Sequence, residues 1–519
     1  MSARSCRIIS MSASRSSYTF LRYRIYFPTL EYISFRSYHA SASLCNENVR
    51  PSIAPKPSID IKHIRMNAKL HEQNCIDRNY KAHSLYPERI ISLFDEWQNH
   101  QRQGRSLRQR ANVLRREIAS PTTLHGEDTG DIVSLTKDEM LDEARRIKDQ
   151  LSDIELREAT LTSEIEFLAA SLPNLTSDET PRGNTPEIVG YINNHPELGP
   201  TTSDRVWRSH TYIGSELSLL DFSSAATCSG WGWYYLLNEA ALLEQALIQY
   251  ALSVAMDWGW NIVSPPSIVY THITDRCGFQ PRDKNNEQQI YSLSQSASDA
   301  NRGKPELSLA ATAEIPLAAM NACLTMEESE LPTKRVAVSR CYRAEAGGRG
   351  MDTKGLYRVH EFSKVEMFAW TSPSYSAARE VFDEMVSIQT SILESLDLHC
   401  RIVEMPSADL GASATRKRDI EAFFPSRRQK DCGWGEVTSA SICSDYQSRR
   451  LATRVRMTSQ NGRLAFPHTV NGTALAVPRV LAAILENGWD EGEKVVRIPK
   501  VLRPWMGGVE IIRPKHQSK

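Results

Sequence analysis

The chain has 519 residues, of which 41% are hydrophobic and 24% charged, and 62 basic residues balance 62 acidic ones. This length allows two or three domains, and the absence of net charge means that any surface for nucleic acid must be a local patch. The ten cysteines form neither a C-x-x-C pair nor a Cys/His cluster, which argues against structural zinc and a disulfide scaffold. No apolar run reaches the ~18 residues that a membrane helix needs, so we expect no membrane partner.

Residues 1–46 differ in composition from the rest of the chain. They are rich in arginine and serine and contain one acidic residue, Glu31. This composition is typical of an organelle transit peptide, so we predict a mitochondrial one, processed near Arg36, and a location in the matrix. A basic tail without a targeting role is the alternative. A second start at Met11 or Met66 would give a cytosolic form.

Two long helices with a heptad pattern are predicted in residues 58–172. In the first, from Pro87 to Ile118, apolar residues recur every seven positions. The second opens with a capping box, Thr136 to Glu139, and ends at Pro173. Stripes at both the a and d positions favour an antiparallel hairpin. At ~1.5 Å per residue, the pair would form an arm roughly 50 Å long.

Arginines are concentrated on the first helix of this arm. Charge of this kind is usual on the solvated flank of a coiled coil. A positive arm could also follow an RNA backbone, because basic side chains neutralise phosphates. The cluster consists of Arg102, Arg105, Arg108, Arg110, Arg115 and Arg116.

The remaining chain is predicted to be a linker, residues 173–205, and a second domain, residues 206–519. That domain opens with an apolar helix from Tyr235 to about Met256, followed by β-rich segments over 262–476. A turn dipeptide, Asn471-Gly472, then leads to a helix that starts near Pro478. Neither a Rossmann glycine pattern nor a Walker loop is present. We predict an α+β fold, with an antiparallel sheet flanked by helices.

Two features of this domain are typical of a nucleotide site. A glycine-rich loop joins two strands, and alternation in the returning strand places basic, acidic and aromatic side chains on one face. Guanidinium groups suit phosphates and an aromatic ring suits a base. Arg479 lies in the first turn of a helix, where an anion would offset its interaction with the dipole. An exposed arginine tolerated at small cost is the alternative. The residues of the returning strand are Arg358, His360, Phe362, Lys364 and Glu366.

This hairpin resembles motif 2 of class II aminoacyl-tRNA synthetases, and most closely that of seryl-tRNA synthetases. The similarity extends from about residue 58 to the C-terminus and includes Pro266 at the position of the motif 1 proline. The matching segments are Arg343-Ala344-Glu345-Ala346-Gly347, Asp352-Thr353-Lys354-Gly355-Leu356, Arg358 to Glu366, Thr312-Ala313-Glu314, Glu436-Val437-Thr438-Ser439, and Asn471-Gly472-Thr473 through Arg479 to Glu486.

The resemblance implies a helical tRNA-binding arm and a class II catalytic domain. It also implies a homodimer formed through the motif 1 helix, which corresponds to the apolar helix from Tyr235. The enzyme would form seryl adenylate from L-serine and ATP and then transfer serine to tRNA(Ser). Arg343 would neutralise the α-phosphate, Phe362 and Arg479 would enclose adenine, and Glu436 would hold Mg²⁺. Glu345 would contact the base region and Arg358 the terminal phosphates.

The resemblance also implies three sets of binding residues. The serine site would comprise Thr312, Ala313, Glu314, Glu366 and Thr473. The ATP site would comprise Arg343, Ala344, Glu345, Arg358, Val359, Phe362, Glu436, Val437, Thr438, Ser439 and Arg479. Contacts to tRNA would come from Arg102, Arg105, Arg108, Arg115 and Arg116. Arg343, Glu436 and Arg479 would be the catalytic residues.

The sequence departs from the family in the motif 2 loop, where Gly347-Gly348-Arg349-Gly350-Met351-Asp352 replaces the usual G-S-A-G-R-D and alters contacts to the tRNA acceptor end. Prolyl and threonyl synthetases are the nearest alternatives, but they usually carry an anticodon-binding domain after motif 3, and only residues 480–519 follow Arg479. A non-catalytic relative would have lost Arg343, Glu436 or Arg479, all of which are present.

Overall fold

A computed structural model describes residues 54–119, 135–194, 208–279, 289–345, 355–429 and 431–514. The predicted transit peptide, most of the loop at the tip of the arm, and the altered loop from Gly347 to Asp352 lie outside these residues. No helix in the described part of the chain has an apolar stretch long enough to cross a bilayer.

The α-helices are α1 (Ile61–Met66), α2 (Ala68–Asp77), α3 (Tyr86–Ala119), α4 (Lys137–Ser171), α5 (His210–Glu216), α6 (Phe222–Ser229), α7 (Asn238–Asp257), α8 (Thr271–Arg276), α9 (Ala297–Asn301), α10 (Glu314–Ala319), α11 (Tyr375–Ser395), α12 (Tyr446–Leu451) and α13 (Val477–Asn487). The strands are β1 (Glu187–Ile192), β2 (Leu220–Asp221), β3 (Tyr235–Leu236), β4 (Asn261–Val263), β5 (Ile268–Tyr270), β6 (Leu307–Leu309), β7 (Thr325–Glu327), β8 (Thr333–Tyr342), β9 (Glu361–Thr371), β10 (Cys400–Glu404), β11 (Arg416–Phe423), β12 (Trp434–Ser444), β13 (Arg454–Met457), β14 (Arg463–Ala465), β15 (His468–Ala476), β16 (Trp489–Asp490), β17 (Val495–Arg497) and β18 (Ile511–Ile512).

Helices α3 and α4 form the predicted antiparallel arm. Ion pairs between them join early positions of one helix to late positions of the other, as in Arg89–Glu164 at 2.9 Å and Arg110–Glu143 at 2.8 Å. The predicted capping box at Thr136 is also confirmed, since its side chain accepts a hydrogen bond from the Glu139 N–H. The seam is closed by buried apolar side chains that include Ile90, Leu93, Leu161, Ile165 and Leu168.

The base of the arm is attached to the sheet domain through buried polar groups. Arg78 is 1% exposed, and its guanidinium donates to the carbonyl oxygens of Asn174 and Gly411. The Asn174 amide in turn donates to the carbonyls of Ser413, at 2.8 Å, and Cys443, at 2.9 Å. Because buried polar groups are costly unless paired, this network fixes the orientation of the helices.

The main sheet has the strand order β1-β10-β11-β12-β15-β9-β8-β4. Its neighbours run antiparallel, except for β4 and β8, which are parallel. The predicted α+β class is therefore confirmed. Helices α7, α11 and α13 cover one face of the sheet with apolar side chains such as Leu247, Phe382 and Leu481.

Three local predictions need correction. The segment 173–205 was expected to be a linker, but Glu187–Ile192 pairs with β10 as the edge strand β1. The apolar helix begins at Asn238 rather than Tyr235, because Tyr235 and Leu236 pair with β2. Asn471-Gly472 is not a turn, because both residues lie inside β15, hydrogen-bonded between β9 and β12.

The glycine in β15 has a packing role instead. A Cβ at Gly472 would lie 3.1 Å from the Met385 sulfur and 3.3 Å from the Ala440 Cβ. Glycine therefore allows α11 to approach the sheet closely. The helix that follows runs from Val477 to Asn487, close to the predicted start at Pro478.

Candidate active site

The candidate site occupies the face of the main sheet opposite α7, α11 and α13. On β11, Asp419 and Glu421 lie two residues apart and therefore share this face. Asp419 pairs with Ser439 of β12, and Glu421 pairs with Glu436. Val437 is the extra residue of a β-bulge in this pairing. The bulge brings Glu436 and Ser439, three residues apart, onto the same face, where strict alternation would have separated them.

One half of the site is built around Glu366. This carboxylate is 1% exposed and forms an ion pair with Lys364 at 2.6 Å. Thr473, directly opposite it on β15, donates its hydroxyl to the same carboxylate at 3.0 Å. A buried charge of this kind is stable only when it is paired, and both partners come from neighbouring positions in the sheet.

Glu314 is a second buried carboxylate in this half. It accepts hydrogen bonds from the side-chain amides of Gln447, at 2.7 Å, and Asn471, at 3.0 Å. Thr469 donates to the Gln447 carbonyl at 2.7 Å, which directs the amide N–H₂ towards Glu314. Burial, and then the nearby charge of Glu366, raise the pKa of Glu314 to about 7. Thr312 lies beside it and accepts from the Glu314 N–H at 3.2 Å.

The other half of the site contains Glu436 and Arg479. The Arg479 guanidinium lies 3.1 Å from both the carboxylate and the main-chain oxygen of Glu436, and its Nε donates to the Tyr357 carbonyl at 3.1 Å. Burial would raise the pKa of Glu436, but Lys417, Arg479 and Arg343 outweigh it and lower the pKa to about 2. Glu436 is therefore an anion throughout the neutral range.

Lys417 and Asp419 extend this half along β11. Their side chains form an ion pair at 2.7 Å. Burial raises the pKa of Asp419 to about 7; Lys417 opposes this rise and Glu436 adds to it. The pKa of Lys417 is also raised, because Asp419 and Glu436 together outweigh the effect of burial.

The charge of Arg343 acts on both halves, since it favours the ionised forms of Glu314 and Glu436. The Arg343 guanidinium is 5.3 Å from the centre of the Phe362 ring, whereas that of Arg479 is 4.9 Å from the centre of the Tyr357 ring. Arg358 is paired with Glu345 at 3.5 Å. Phe362 and Arg479 thus have different partners here, and their enclosure of adenine stays a prediction.

Some residues predicted for the site point elsewhere. Val437 packs in the core on the helix-covered face, and the Thr438 hydroxyl donates to the Thr473 carbonyl. Val359 lies in a small apolar cluster with Phe362, and Ala313 is buried at the start of α10. Ala344 contributes its main-chain N–H to the Gln289 carbonyl at 3.0 Å. Any contact of Val437 or Thr438 with a ligand would therefore involve the main chain.

Lys364, Lys417, Asp419, Gln447 and Asn471 were not predicted as site residues. Strand alternation does place Lys364 on the same face as Glu366, although the sequence assigned it no role in binding. The same alternation could have placed Lys417 and Asp419 on one face with Glu421. Gln447 gave no such signal, because it approaches Glu314 from the separate helix α12.

On the arm, the arginines divide into two groups. Arg108 is ion-paired with Glu155 and Glu158, each at 3.4 Å. Arg102, Arg105, Arg115 and Arg116 are exposed. Arg105, Arg108 and Arg116 line an open groove of about 490 Å³ along α3.

The arrangement can perform two tasks. Carboxylates, a hydroxyl and amides in one half suit a small molecule with an ammonium and a hydroxyl group. The guanidinium groups and the ionised carboxylate in the other half suit a phosphorylated ligand with its counter-cation. Within the described ranges, no group of three or more His, Cys, Asp or Glu side chains is arranged to hold a metal by itself.

Two models of known protein families match the chain, one over the arm and one over the sheet domain. Residues 59–176 match the model of the seryl-tRNA synthetase N-terminal domain, and residues 291–488 match that of the tRNA synthetase class II core domain (G, H, P, S and T). The mitochondrial serine–tRNA ligase of Saccharomyces cerevisiae is 44% identical over 370 residues, which is 71% of this chain and 78% of the relative. That of Schizosaccharomyces pombe is 38% identical over 448 residues, 86% of this chain and 88% of the relative.

A solved structure has the same architecture. The crystal structure of seryl-tRNA synthetase from Pyrococcus horikoshii complexed with ATP superposes with a TM-score of 0.75 at 30% identity, covering 88% of this chain and 100% of that one. With its helical arm, its class II core and these degrees of identity, the chain belongs to the seryl-tRNA synthetase family.

Proposed function

We propose that this chain is a mitochondrial serine–tRNA ligase, which activates L-serine with ATP and transfers it to tRNA(Ser). In the first step a serine carboxylate oxygen attacks the α-phosphorus of ATP and pyrophosphate leaves. In the second step the 3′-terminal ribose hydroxyl of the tRNA attacks the seryl carbonyl and AMP leaves. The observation that carries the proposal is a single site in which buried carboxylates and the Thr473 hydroxyl lie beside the guanidinium groups of Arg343 and Arg479.

The ATP side is assigned to the half of the site around Arg343, Glu436 and Arg479. Arg343 is assigned to the α-phosphate, where charge builds up during the reaction, because fixed guanidinium groups stabilise such charge without reorganisation. Phe362 offers its ring to adenine. Arg358 is assigned to the terminal phosphates and Glu345, its ion-pair partner at 3.5 Å, to the base region.

The oxygen ligands on this side fit Mg²⁺. The bulge at Val437 brings the Glu436 carboxylate and the Ser439 hydroxyl to one face, and the low pKa of Glu436, about 2, keeps that carboxylate ionised. Hard cations such as Mg²⁺ prefer oxygen ligands and are usually held by one or two carboxylates together with substrate phosphates. When bound, Mg²⁺ would neutralise phosphate charge.

The serine side is assigned to Thr312, Glu314, Glu366 and Thr473. Glu314 and Glu366 suit the ammonium group, and the Thr473 hydroxyl suits the side chain of serine. A pocket built to hydrogen-bond a hydroxyl can reject analogues that lack it by ~10⁴-fold, because its own buried groups would be left unpaired. The methyl group of Thr473 narrows the pocket, and we expect this to help exclude threonine.

The tRNA is assigned to the arm, through the exposed arginines of α3. We also propose that residues 1–46 are a transit peptide, 58–172 the arm domain and 206–519 the catalytic domain. The mitochondrial location is supported by the names of the two yeast relatives. Homodimer formation is proposed from the family resemblance, and it would cover apolar side chains that are exposed near the predicted motif 1 proline, such as Ile268, Tyr270 and Met320.

The direct test is ATP–pyrophosphate exchange by protein that lacks residues 1–46, with serine, threonine, alanine and proline as substrates. Exchange with serine alone is the expected result. Exchange with proline or threonine instead would reassign the amino acid. A folded protein that binds tRNA but exchanges with none of the four would support a non-catalytic role.

A further inference from the structure

His210 and Glu486 form a buried pair outside the residues assigned above. Glu486 is 0% and His210 6% exposed. The Glu486 carboxylate accepts hydrogen bonds from the His210 main-chain N–H at 3.1 Å and from the Ser426 hydroxyl at 2.9 Å. The His210 Nδ1 lies 2.8 Å from the same carboxylate.

The other ring nitrogen of His210 contacts the end of the motif 2 loop. The Leu356 main-chain N–H donates to Nε2 at 3.0 Å. Nε2 is therefore the acceptor, and the proton of the neutral ring lies on Nδ1, from which it is donated to Glu486. Gly355 has φ +88°, and a Cβ there would lie 2.1 Å from Nε2, so a larger residue would prevent the ring from approaching.

The segment held in this way leads directly to the ATP side. Tyr357 accepts the hydrogen bond from Arg479 Nε at 3.1 Å, and Arg358 is the next residue. Arg479 and Glu486 both belong to α13. Helix α13 thus contacts residues 355–358 at two points, directly through Arg479 and indirectly through Glu486 and His210.

We propose that His210 is a positioning residue for ATP. Glu486 orients its ring, the ring holds the Leu356 N–H, and this contact places Tyr357 and Arg358 for the nucleotide. The serine side is independent of the contact, because Glu314 and Glu366 are held by Gln447 and Lys364. The inference rests on the proposed function, since it assumes that this half of the site binds ATP.

Two substitutions separate the two hydrogen bonds of the ring. The side-chain amide of His210→Gln reaches the ε position, so its oxygen can still accept from the Leu356 N–H. The amide of His210→Asn reaches only the δ position, so it can still donate to Glu486 but loses the bond to Leu356. The KM values for ATP and for serine would be measured by serine-dependent pyrophosphate exchange, together with the melting temperature. The matched control is His71→Asn, at a histidine of α2 that is 8% exposed and has its ring nitrogen 3.1 Å from that of His63.

We expect His210→Asn to raise KM for ATP about tenfold, and His210→Gln to raise it by no more than about threefold, with KM for serine unchanged in both. Glu486→Gln, which weakens the hold on the ring, should raise KM for ATP by about threefold to tenfold. His71→Asn should lower the melting temperature without changing either KM.

Equal effects of the Asn and Gln variants, or a parallel rise of both KM values, would overturn the proposal. If the Asn variant does not fold, a tenfold rise in the Gln variant would do the same. Failure of the proposed function is distinguishable from these results, because the unsubstituted protein would then show no serine-dependent exchange.

Discussion

Glu366 shares its carboxylate between Lys364 and Thr473, so a substitution there should act on serine rather than on ATP. We expect Glu366→Ala to lower kcat/KM for serine by about 10²- to 10³-fold, because a buried charged hydrogen-bond partner is lost. ATP affinity, measured by equilibrium binding, should stay within about twofold, since Arg343 and Arg479 are untouched.

The control for this change is Glu384→Ala. Glu384 is a partly buried carboxylate of α11 that pairs with Lys334 at 2.7 Å, away from the site face. The Glu384→Ala substitution should lower the stability of the protein without changing serine turnover. Unchanged serine activity in Glu366→Ala would rule out its assignment to the serine pocket.

Glu314 should make stability depend on pH. Burial, followed by Glu366, raises its pKa from 4.5 to about 7 in the folded chain. Between these values the folded chain holds a proton that the unfolded chain has released, so stability falls as pH rises through this window and levels off above it. Glu314→Gln should remove about 3 kcal/mol of this decline.

Urea unfolding between pH 5 and pH 8 would measure the effect. Glu155→Gln, at an exposed carboxylate of the arm, is the control and should retain the profile of the unsubstituted protein. If the stability of Glu314→Gln changed with pH in the same way as that of the unsubstituted protein, Glu314 would be ionised across the whole range.

At the scale of elements, α11 supports the proposed serine site from the opposite face of the sheet. Gln389, which is 0% exposed, donates its amide to the carbonyls of Ser439 at 2.8 Å and Thr473 at 2.9 Å. It therefore joins β12 to β15 at the point where the two halves of the site meet. This role depends on Gly472, which lets the helix come close.

We expect Gln389→Leu to lower the free energy of unfolding by about 2 kcal/mol, because two buried carbonyls lose a donor. KM for serine should rise as well, since Thr473 is no longer held. Ser387→Ala, on the exposed side of the same helix, should change stability by less than about 0.5 kcal/mol. Equal stability of both variants in chemical unfolding would exclude this role for Gln389.

At the scale of the whole molecule, the arm and the sheet should be separable in function. Replacing Arg105 and Arg116 by Glu should raise KM for tRNA about tenfold and reduce its salt dependence, because fewer counterions are released. Serine-dependent pyrophosphate exchange should not change. The control replaces Arg145 and Arg146 of α4, which are also exposed, by Glu. Equal effects of the two pairs on aminoacylation would assign the interaction to overall charge rather than to α3.

The sequence by itself determined the arm, the fold class and the family. Heptad stripes and the capping box at Thr136 are local signals, and they predicted α3 and α4 to within about two residues. The motif segments around Arg343, Glu436 and Arg479 are contiguous, so their resemblance to the family could be identified without coordinates.

The tertiary structure alone decided how these segments combine. The bulge at Val437 changes which side chains of β12 share a face, and alternation along one strand cannot reveal it. Gln447 and His210 act through partners far away in the chain, Glu314 and Glu486. Asn471-Gly472 was mistaken for a turn, because glycine favours turns locally, whereas here it is required by the packing of α11. Such contacts depend on which strands and helices become neighbours, and only the folded chain specifies that.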